Sequence, residues 1–425
     1  MADASGGIFI SAPGKIILFG EHAVVYGRTA VAGSIDLRTY VSLFTSQDGR
    51  IYLSLPDLGV EKTWMLKDLI KASDKLGETG ADDGTPPSLE TVVPIARKLS
   101  GSCEEQCGVQ HLAILAFWYL LLGVAQRKKD LLAVKVTVRF KLPSCVGLGS
   151  SGAYCVCIAA SLLQSAGLIP RPDIPAGQDG CLTWSEPYLD VIRKWAASAE
   201  SIIHGRASGL DAAVCTYGGV ACFKPGSRIQ HLRNLPDLKV ILVNSKVERN
   251  TSRMVATVKD RLKRFPHVVE GIFNAIDAIS QDAVRTLDRP DPIPKKSCSE
   301  EEHHQLQDLC RMNNQLLIAL GVGHPKIDQI CTTLARYGIH PKMTGAGGGG
   351  SVFAFLKPDT SQTIMDMITK EITSLGYEIW QPPLGGDGVM LHSTKPDILQ
   401  LTTMNLDCNS DRLSNKLSDG SIPGQ

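Results

Sequence analysis

A run of glycine and serine between residues 143 and 152, Pro-Ser-Cys-Val-Gly-Leu-Gly-Ser-Ser-Gly, has the composition of an anion-binding loop. Glycines let the backbone turn tightly, so several N–H groups can point at one anion. The helix predicted from about Ser151 to Leu163 would add the partial positive charge of its N-terminus. Ser150 or Ser151 could instead serve only as a helix N-cap, which needs no ligand. The density of glycine and serine favours a phosphate site, and we call residues 143–152 the phosphate loop.

Gly147, Gly149 and Gly152 also match the dinucleotide-binding pattern G-x-G-x-x-G, but the context of that pattern is missing. The preceding strand is predicted to end at Phe140, and six residues separate it from the first glycine, whereas the dinucleotide fingerprint turns at the strand end. Asp173 lies about 20 residues further on, but in a proline-rich loop instead of at the end of a second strand. The Gly-Lys-Ser/Thr ending of a standard P-loop is absent from the chain.

A second segment, Lys342 to Ser351, has five glycines in six consecutive positions, and we call it the glycine-rich segment. Such a run costs backbone entropy on folding. Packing of the backbone against a ligand or against another loop would explain it. A tight turn between two strands is the simpler alternative, although a turn needs only one or two glycines.

Two carboxylates, Glu200 and Asp211, flank a short turn between two predicted helices, so they could reach one site. A carboxylate together with the hydroxyl of Ser151 offers the oxygen ligands that Mg²⁺ prefers. The second carboxylate could accept the proton of an attacking alcohol. The alternative is structural, because Ser208 and Asp211 have the spacing of a capping box and Glu200 could lie on the surface.

The elements that must position these groups require more than one domain. A chain of 425 residues, 43% of them hydrophobic, predicts two or three domains of about 100–200 residues each. We place an N-terminal domain at residues 1–235 and a C-terminal domain at residues 236–394. Residues 395–425 lose all periodicity and predict a flexible tail. Ile8 to Phe19 is predicted to be a strand interrupted at residues 12–15.

Composition excludes several classes of function. The 44 basic and 43 acidic residues give a net charge of +1, which argues against a nucleic-acid partner. The longest apolar run, Leu112 to Ala125, is shorter than the roughly 20 residues needed to cross a membrane, so it predicts a buried helix. Twelve scattered cysteines without a C-x-x-C pair predict reduced thiols in a cytoplasmic protein. These features do not distinguish the cytoplasm from the peroxisome.

Three segments resemble, in order, the three motifs of the GHMP kinases. They are Ser11 to His22, which we call the first motif, Pro143 to Tyr154, and Lys342 to Ser351. The segments Gly20–Gly27, Ile203–Gly205 with Ser208–Asp211, and Lys246–Thr251 resemble the members that phosphorylate mevalonate, although Arg206-Ala207 departs from their usual pattern. The resemblance extends from about Ile8 to about His392. It implies an α+β fold, with an N-terminal lobe like the second domain of ribosomal protein S5, a ferredoxin-like C-terminal lobe and the active site between them.

The resemblance also implies the chemistry. It implies phosphorylation of the primary alcohol of (R)-mevalonate by ATP with Mg²⁺, and a homodimer. Asp211 would take the proton of the alcohol, and Lys15 would stabilise the transferring phosphoryl group and keep Asp211 ionised. Ser151 and Glu200 would hold Mg²⁺.

The resemblance further implies two sets of binding residues. For ATP these are Lys15, Asp57, Cys145, Val146, Gly147, Leu148, Gly149, Ser150 and Ser151, with Trp64 near the adenine. For mevalonate they are Glu21, His22, Asp211, Thr251, Gly345, Ala346 and Gly347. The alternatives are another GHMP kinase acting on phosphomevalonate, galactose or homoserine, a non-catalytic member of the fold, and, more remotely, a dinucleotide-dependent oxidoreductase.

Overall fold

The computed structural model describes residues 7–77, 84–101, 108–142, 147–177, 180–205, 208–248, 250–288 and 298–400. Residues 143–146 of the phosphate loop, which include the predicted ATP-binding residues Cys145 and Val146, lie outside these ranges, as do residues 401–425 of the predicted tail.

The described residues contain fifteen strands that join into one continuous sheet. The strands are β1 (Ile8–Phe19), β2 (Ala30–Ser46), β3 (Arg50–Leu55), β4 (Val60–Met65), β5 (Ala133–Phe140), β6 (Ile174–Pro175), β7 (Cys181–Thr183), β8 (Val220–Phe223), β9 (Gln230–His231), β10 (Leu238–Asn244), β11 (Lys342–Met343), β12 (Ser351–Leu356), β13 (Glu378–Trp380), β14 (Pro383–Leu384) and β15 (Met390–His392). The path through the sheet runs β11-β12-β10-β14-β2-β1-β15-β7-β6. The pairs are antiparallel except for β3 beside β5.

Eleven α-helices of the described ranges cover this sheet. They are α1 (Leu66–Leu76), α2 (Leu89–Ser100), α3 (Val109–Ala125), α4 (Ser150–Ser165), α5 (Glu186–His204), α6 (Leu210–Tyr217), α7 (Thr251–Arg264), α8 (Pro266–Leu287), α9 (Glu300–Ala319), α10 (Pro325–Ala335) and α11 (Gln362–Ser374). Short 3₁₀ turns lie at Ala23–Tyr26, Pro56–Leu58 and Asp397–Leu399. Mixed helices and a mostly antiparallel sheet confirm the predicted α+β class.

Two buried helices, of which only the first was predicted to be buried, lie in the N-terminal part. Residues 113–125 of α3 are all buried, which confirms the buried helix predicted from the longest apolar run. Residues 152–163 of α4 are likewise buried, so the phosphate loop leads into a helix that cannot shift easily. No helix of the described part has the length and apolar character needed to cross a membrane.

The strand β1 is continuous, which corrects the predicted interruption at residues 12–15. The chain stays paired with β2 through a register shift between Pro13 and Gly14. A bulge of this kind bends the strand and redirects the side chains that follow it. Gly14 is needed there, because an added Cβ would lie 2.6 Å from the carbonyl oxygen of Leu148. The next residue is Lys15, so the bulge lies directly before a predicted catalytic side chain.

The C-terminal chain returns to the N-terminal sheet. β14 pairs with β2 at Leu384 and Ile35, and β15 pairs with β1 at Leu391 and Ile10. Apolar residues of α7, α8, α10, α11 and β12 form a second core. The division near residue 235 stays a prediction, because β14 and β15 lie beyond it and yet pair with β2 and β1 in the same continuous sheet. Within the predicted tail, the turn Asp397–Leu399 packs near β2 and β5 with Leu399 buried, so residues 395–400 do not form a free tail.

The turn before β15 is held against the end of α6, and replacing Gly388 with alanine should destabilise the protein. The added Cβ would lie 2.0 Å from the carbonyl oxygen of Thr216, and the buried Arg38 already binds the carbonyl oxygen of Gly388 at 2.5 Å. We expect the free energy of unfolding to fall by about 1–3 kcal/mol in urea titrations. Gly386→Ala is the matched control, because its Cβ would meet nothing within 4 Å. Equal losses in both variants would contradict this packing argument.

Candidate active site

The centre of the site is an ion pair between Lys15 and Asp211. Lys15 extends from β1, and Asp211 lies in the first turn of α6. The Lys15 Nζ lies 2.8 Å from Asp211 Oδ1, with 7% of the lysine side chain and 26% of the aspartate side chain exposed. The N-terminus of α6 and the lysine both stabilise the negative charge of Asp211. A carboxylate that is charged and partly open to solvent can accept a proton from a bound alcohol.

The phosphate loop lies directly on Lys15. The backbone N–H of Lys15 donates to the carbonyl oxygen of Leu148 at 2.9 Å. Gly149 has φ of 73°, and an added Cβ would lie 2.7 Å from Lys15 Cγ. Both the left-handed backbone and the close approach therefore require glycine at this position. The loop that is predicted to hold phosphate and the lysine that is predicted to act on it form one packed unit.

Glu200 lies in the last turn of α5 and is 2% exposed, so the alternative of a surface residue is wrong. Burial raises its pKa to about 8, with a smaller rise from Asp211, while Lys15 and the hydrogen bond from Ser151 lower it. Ser151 Oγ donates to Glu200 Oε1 at 3.4 Å. The other oxygen, Oε2, is buried and has no hydrogen-bond partner among the described residues. The arrangement is a buried carboxylate with too little positive charge around it.

That arrangement fits a magnesium ion. The unpartnered oxygen of Glu200 and the Ser151 hydroxyl are hard oxygen donors, and they lie beside the phosphate loop. The described residues contain no group of three or more His, Cys, Asp and Glu that could hold a metal. Magnesium does not require such a cage, because it usually binds one or two carboxylates together with phosphate oxygens and water.

The capping-box alternative for Asp211 is also wrong. The N-cap of α6 is Gly209, which has no side chain, and the Ser208 hydroxyl accepts a hydrogen bond from the Leu210 N–H at 3.2 Å. Asp211 is therefore not needed to satisfy the start of its helix, and its carboxylate is available to Lys15.

His204 is a neighbour that the sequence interpretation did not single out. Its Nε2 lies 2.8 Å from Ser151 Oγ. Its spacing from Glu200 could have indicated this position. His204 follows Glu200 by four residues in α5, and residues four apart lie on the same face of a helix.

A second cluster joins the first motif to the glycine-rich segment. Thr344 Oγ1 donates to the carbonyl oxygen of Ile17 at 2.8 Å and accepts from the Ile17 N–H at 3.1 Å. His22 Nε2 lies 2.7 Å from the carbonyl oxygen of Ala346. Burial lowers the pKa of His22, so its ring is neutral at neutral pH. The two segments are more than 320 residues apart in sequence and bind each other directly.

The deepest contact of this cluster is between Glu21 and Lys342. Glu21 Oε1 accepts a hydrogen bond from Lys342 Nζ, and the two side chains are 1% and 0% exposed. Burial raises the pKa of Glu21, and Lys342 is the group that opposes this rise most. Lys342 was not among the predicted site residues. A lysine before a run of glycines gives no sequence signal of burial, because lysine is usually exposed.

The glycines of this segment allow close packing against other loops. A Cβ on Gly347 would lie 2.4 Å from the carbonyl oxygen of Val322, and one on Gly349 would lie 2.6 Å from Val247 Cγ1. The segment also connects the antiparallel strands β11 and β12. Packing against other loops is confirmed, whereas the connection over residues 344–350 is longer than the tight turn offered as the alternative. Contact of Gly345, Ala346 and Gly347 with substrate stays a prediction.

Thr251 is exposed at the start of α7, where Asn250 caps the helix by accepting from the Arg253 N–H at 2.8 Å. Within the described ranges Thr251 makes no hydrogen bond to the groups described above, so its role at the substrate stays a prediction.

The other nucleotide candidates lie around the end of β5. Asp57 Oδ2 accepts from the Phe140 N–H at 2.8 Å and from Arg139 Nε at 3.1 Å. Trp64 packs edge-on against Trp118 at 5.2 Å between ring centroids. A small apolar pocket opens beside the phosphate loop, and Trp64 does not line it. The residues that line it are Leu58, Val109, Ala113, Phe140, Ser150, Ser151, Tyr154 and Ile203.

Comparison with known proteins gives the same assignment at the level of the family. The family described as "GHMP kinases C terminal" matches residues 295–372. Mevalonate kinase from Bos taurus is 38% identical over 387 residues, which is 91% of this chain and 95% of the relative. Mevalonate kinase from Homo sapiens is 39% identical over 388 residues, with 91% and 95% covered.

The fold agrees with this. The crystal structure of the mevalonate kinase of Methanococcus jannaschii has a TM-score of 0.66 and 22% identity, and the match covers 89% of this chain and 99% of that one. At that identity the likeness speaks for the fold alone, which is the GHMP kinase fold. Because the relatives at 38–39% identity match over nearly their whole length, the chain belongs to the mevalonate kinases, a branch of the GHMP kinase family.

Proposed function

We propose that the Lys15–Asp211 ion pair carries out the phosphorylation of mevalonate by ATP in this chain. The observation that supports this is the 2.8 Å contact between Lys15 Nζ and Asp211 Oδ1. Lys15 also binds the phosphate loop directly, through its backbone N–H and the carbonyl oxygen of Leu148. Use of ATP follows from membership in a kinase family. The roles of individual residues below belong to the proposal.

Asp211 accepts the proton of the primary alcohol as that oxygen attacks the γ-phosphorus of ATP. The bond from the γ-phosphorus to the bridging oxygen breaks, and ADP leaves with those electrons. Lys15 pairs with the Asp211 carboxylate before the transfer and offsets negative charge on the phosphoryl group during it. The burial of Lys15 strengthens both effects, because charges interact more strongly away from water.

The nucleotide binds between the phosphate loop and the apolar pocket beside it. Backbone N–H groups from Gly147 to Ser151 and the N-terminus of α4 face the phosphates. The apolar pocket beside Tyr154 and Phe140 accepts the adenine.

Ser151 and Glu200 would hold the magnesium ion, which would supply positive charge to the ATP phosphates. Glu200 would then have a cationic partner for the oxygen that otherwise lacks one, which would favour its ionised form.

The acceptor lies between the first motif and the glycine-rich segment. Glu21, His22, Ala346 and their neighbours surround it there, and Thr251 borders it from α7. The homodimer and the cytoplasmic location also belong to the proposal, and both rest on the family resemblance and on the sequence. Sedimentation of the purified enzyme and cell fractionation test them, and a single-chain particle or a membrane-enclosed fraction would contradict them.

Asp211→Asn should abolish most turnover without preventing ATP binding. The amide has nearly the same shape but cannot take the proton of the alcohol, so we expect kcat to fall by about 10²–10⁴-fold. ATP affinity, measured by calorimetry, should stay close to that of the wild type. Asp190→Asn is the matched control, because Asp190 lies on α5 and pairs with Arg193 and Lys194 near the surface. Near-normal turnover of Asp211→Asn would exclude Asp211 as the base.

Glu200→Gln and Ser151→Ala should each raise the Mg²⁺ concentration that gives half-maximal activity. Loss of one ligand, or of its charge, should lower the affinity for Mg²⁺ by about 10–100-fold, which is the loss typical of groups that surround a bound metal. Titration of activity with Mg²⁺ at fixed ATP measures this, and Mn²⁺ binding followed by electron paramagnetic resonance gives an independent reading.

The control for these two variants is Glu186→Gln, an exposed carboxylate at the opposite end of α5. It should leave the Mg²⁺ dependence unchanged. Wild-type Mn²⁺ affinity in both Glu200→Gln and Ser151→Ala would place the metal elsewhere.

A further inference from the structure

The buried lysine of the glycine-rich segment has no role in the mechanism above. Lys342 is fully buried, and its ammonium group contacts Glu21 Oε1 and the carbonyl oxygen of Met343, the latter at 2.8 Å. The same ammonium lies 5.2 Å from the ring centroid of Phe353 and 5.9 Å from that of Phe19. Two hydrogen bonds and two aromatic faces therefore fix its position.

Burial of a charged pair is expensive and does not by itself indicate a gain in stability. An apolar pair at the same place would often be as stable or more stable. Because burial of the pair brings no clear gain in stability, its place between two segments that each border the proposed substrate site points to a functional use. Glu21, the carboxylate partner of Lys342, indicates what that functional use is.

Only one of the two oxygens of Glu21 is bonded to Lys342. The other, Oε2, is buried and has no hydrogen-bond partner among the described residues. Buried acceptors of this kind are almost always satisfied, by protein, by water or by a ligand. Glu21 directly precedes His22, which binds the backbone of the glycine-rich segment at Ala346, and Lys15 acts on Glu21 electrostatically. The unpartnered oxygen therefore lies where the first motif packs against the glycine-rich segment, which is the proposed location of the acceptor site.

We propose that Lys342 is a positioning residue for the acceptor substrate, which holds Glu21 ionised and turned so that Glu21 Oε2 accepts a hydrogen bond from a hydroxyl group of that substrate. The inference rests on the proposed location of the acceptor site between the first motif and the glycine-rich segment. Lys342 does not touch the substrate itself.

The charge of Glu21 also determines which group of the substrate can bind to it. An ionised carboxylate accepts hydrogen bonds and repels a second carboxylate, so Glu21 selects a hydroxyl and not the acid group of the substrate. Lys342 cancels the charge of Glu21 within the cleft, so an anionic substrate can enter without net repulsion from this pair.

The other groups that face Glu21 do not supply that charge. Lys15 acts on it from β1 but already contacts Asp211 at 2.8 Å. His22 is neutral, because burial lowers its pKa. Cys310 of α9 is neutral too, since burial raises its pKa to about 12. Removing Lys342 should therefore favour the protonated form of Glu21. A protonated Glu21 would carry a hydrogen-bond donor, whereas the substrate hydroxyl needs an acceptor.

The test compares Lys342→Met with the wild-type enzyme in full kinetics for both substrates. We expect the KM for mevalonate to rise by about 10–100-fold, the loss typical of a hydrogen bond to a charged group, while the KM for ATP changes little. The acid limb of kcat/KM for mevalonate should move to higher pH, because Glu21 must now ionise without a cation beside it. Lys342→Arg should retain the wild-type pH profile. Lys370→Met, at an exposed lysine of α11, is the matched control.

Two further variants keep the test decisive if Lys342→Met is poorly folded. Glu21→Gln removes the charge that Lys342 compensates, so the double variant Glu21→Gln/Lys342→Met should recover thermal stability. If Lys342 acts through Glu21, its removal should add little to the mevalonate KM already caused by Glu21→Gln.

An unchanged mevalonate KM and pH profile in Lys342→Met would overturn the inference. So would equal losses for both substrates that track a fall in melting temperature and are cured in the double variant, because these mark a purely structural pair. These results are distinct from a failure of the proposed catalytic base, which would appear as normal turnover in Asp211→Asn whatever Lys342 does.

Discussion

The structure depends on keeping five ionisable side chains close together in a largely buried site. Three carboxylates, Glu21, Glu200 and Asp211, face two lysines, Lys15 and Lys342. Each lysine forms an ion pair with one carboxylate, Lys15 with Asp211 and Lys342 with Glu21, and Glu200 forms an ion pair with neither lysine. Its pKa of about 8 is the consequence, because a buried carboxylate without its own cation takes up a proton near neutral pH. A divalent cation is the ligand that would complete this balance.

The backbone around these charges is built to bring them close. Gly149 lets the phosphate loop rest on Lys15, and Gly152 lets α4 approach the acids, since a Cβ there would lie 3.3 Å from Glu200 Oε1. On the other side, Thr344 fixes the glycine-rich segment to β1 through both backbone groups of Ile17. Because β14 and β15 return to the first sheet, the two halves of the cleft share one hydrogen-bonded framework.

The sequence was sufficient where residue type and local spacing carry the information. The apolar run of α3 predicted a buried helix, and the glycine and serine of the phosphate loop predicted the start of α4. It was insufficient where a contact spans the chain. The partner of Glu21 lies 321 residues away, and lysine is rarely buried, so composition alone would assign Lys342 to the surface. The return of β15 was equally hidden, because three-residue strands have too little periodicity to reveal their partners.

The two ion pairs differ in exposure, and that difference separates their functions. Asp211 keeps 26% of its side chain open while its lysine is nearly buried, so a substrate can reach the carboxylate but cannot displace the cation behind it. Glu21 and Lys342 are both almost fully buried, so the surrounding protein fixes their positions, and only a group that packs directly against Glu21 Oε2 could use its charge. A proton acceptor has to be reachable, whereas a group that orients a substrate has to be rigid. The first pair is therefore suited to chemistry and the second to recognition, although both consist of one lysine and one carboxylate.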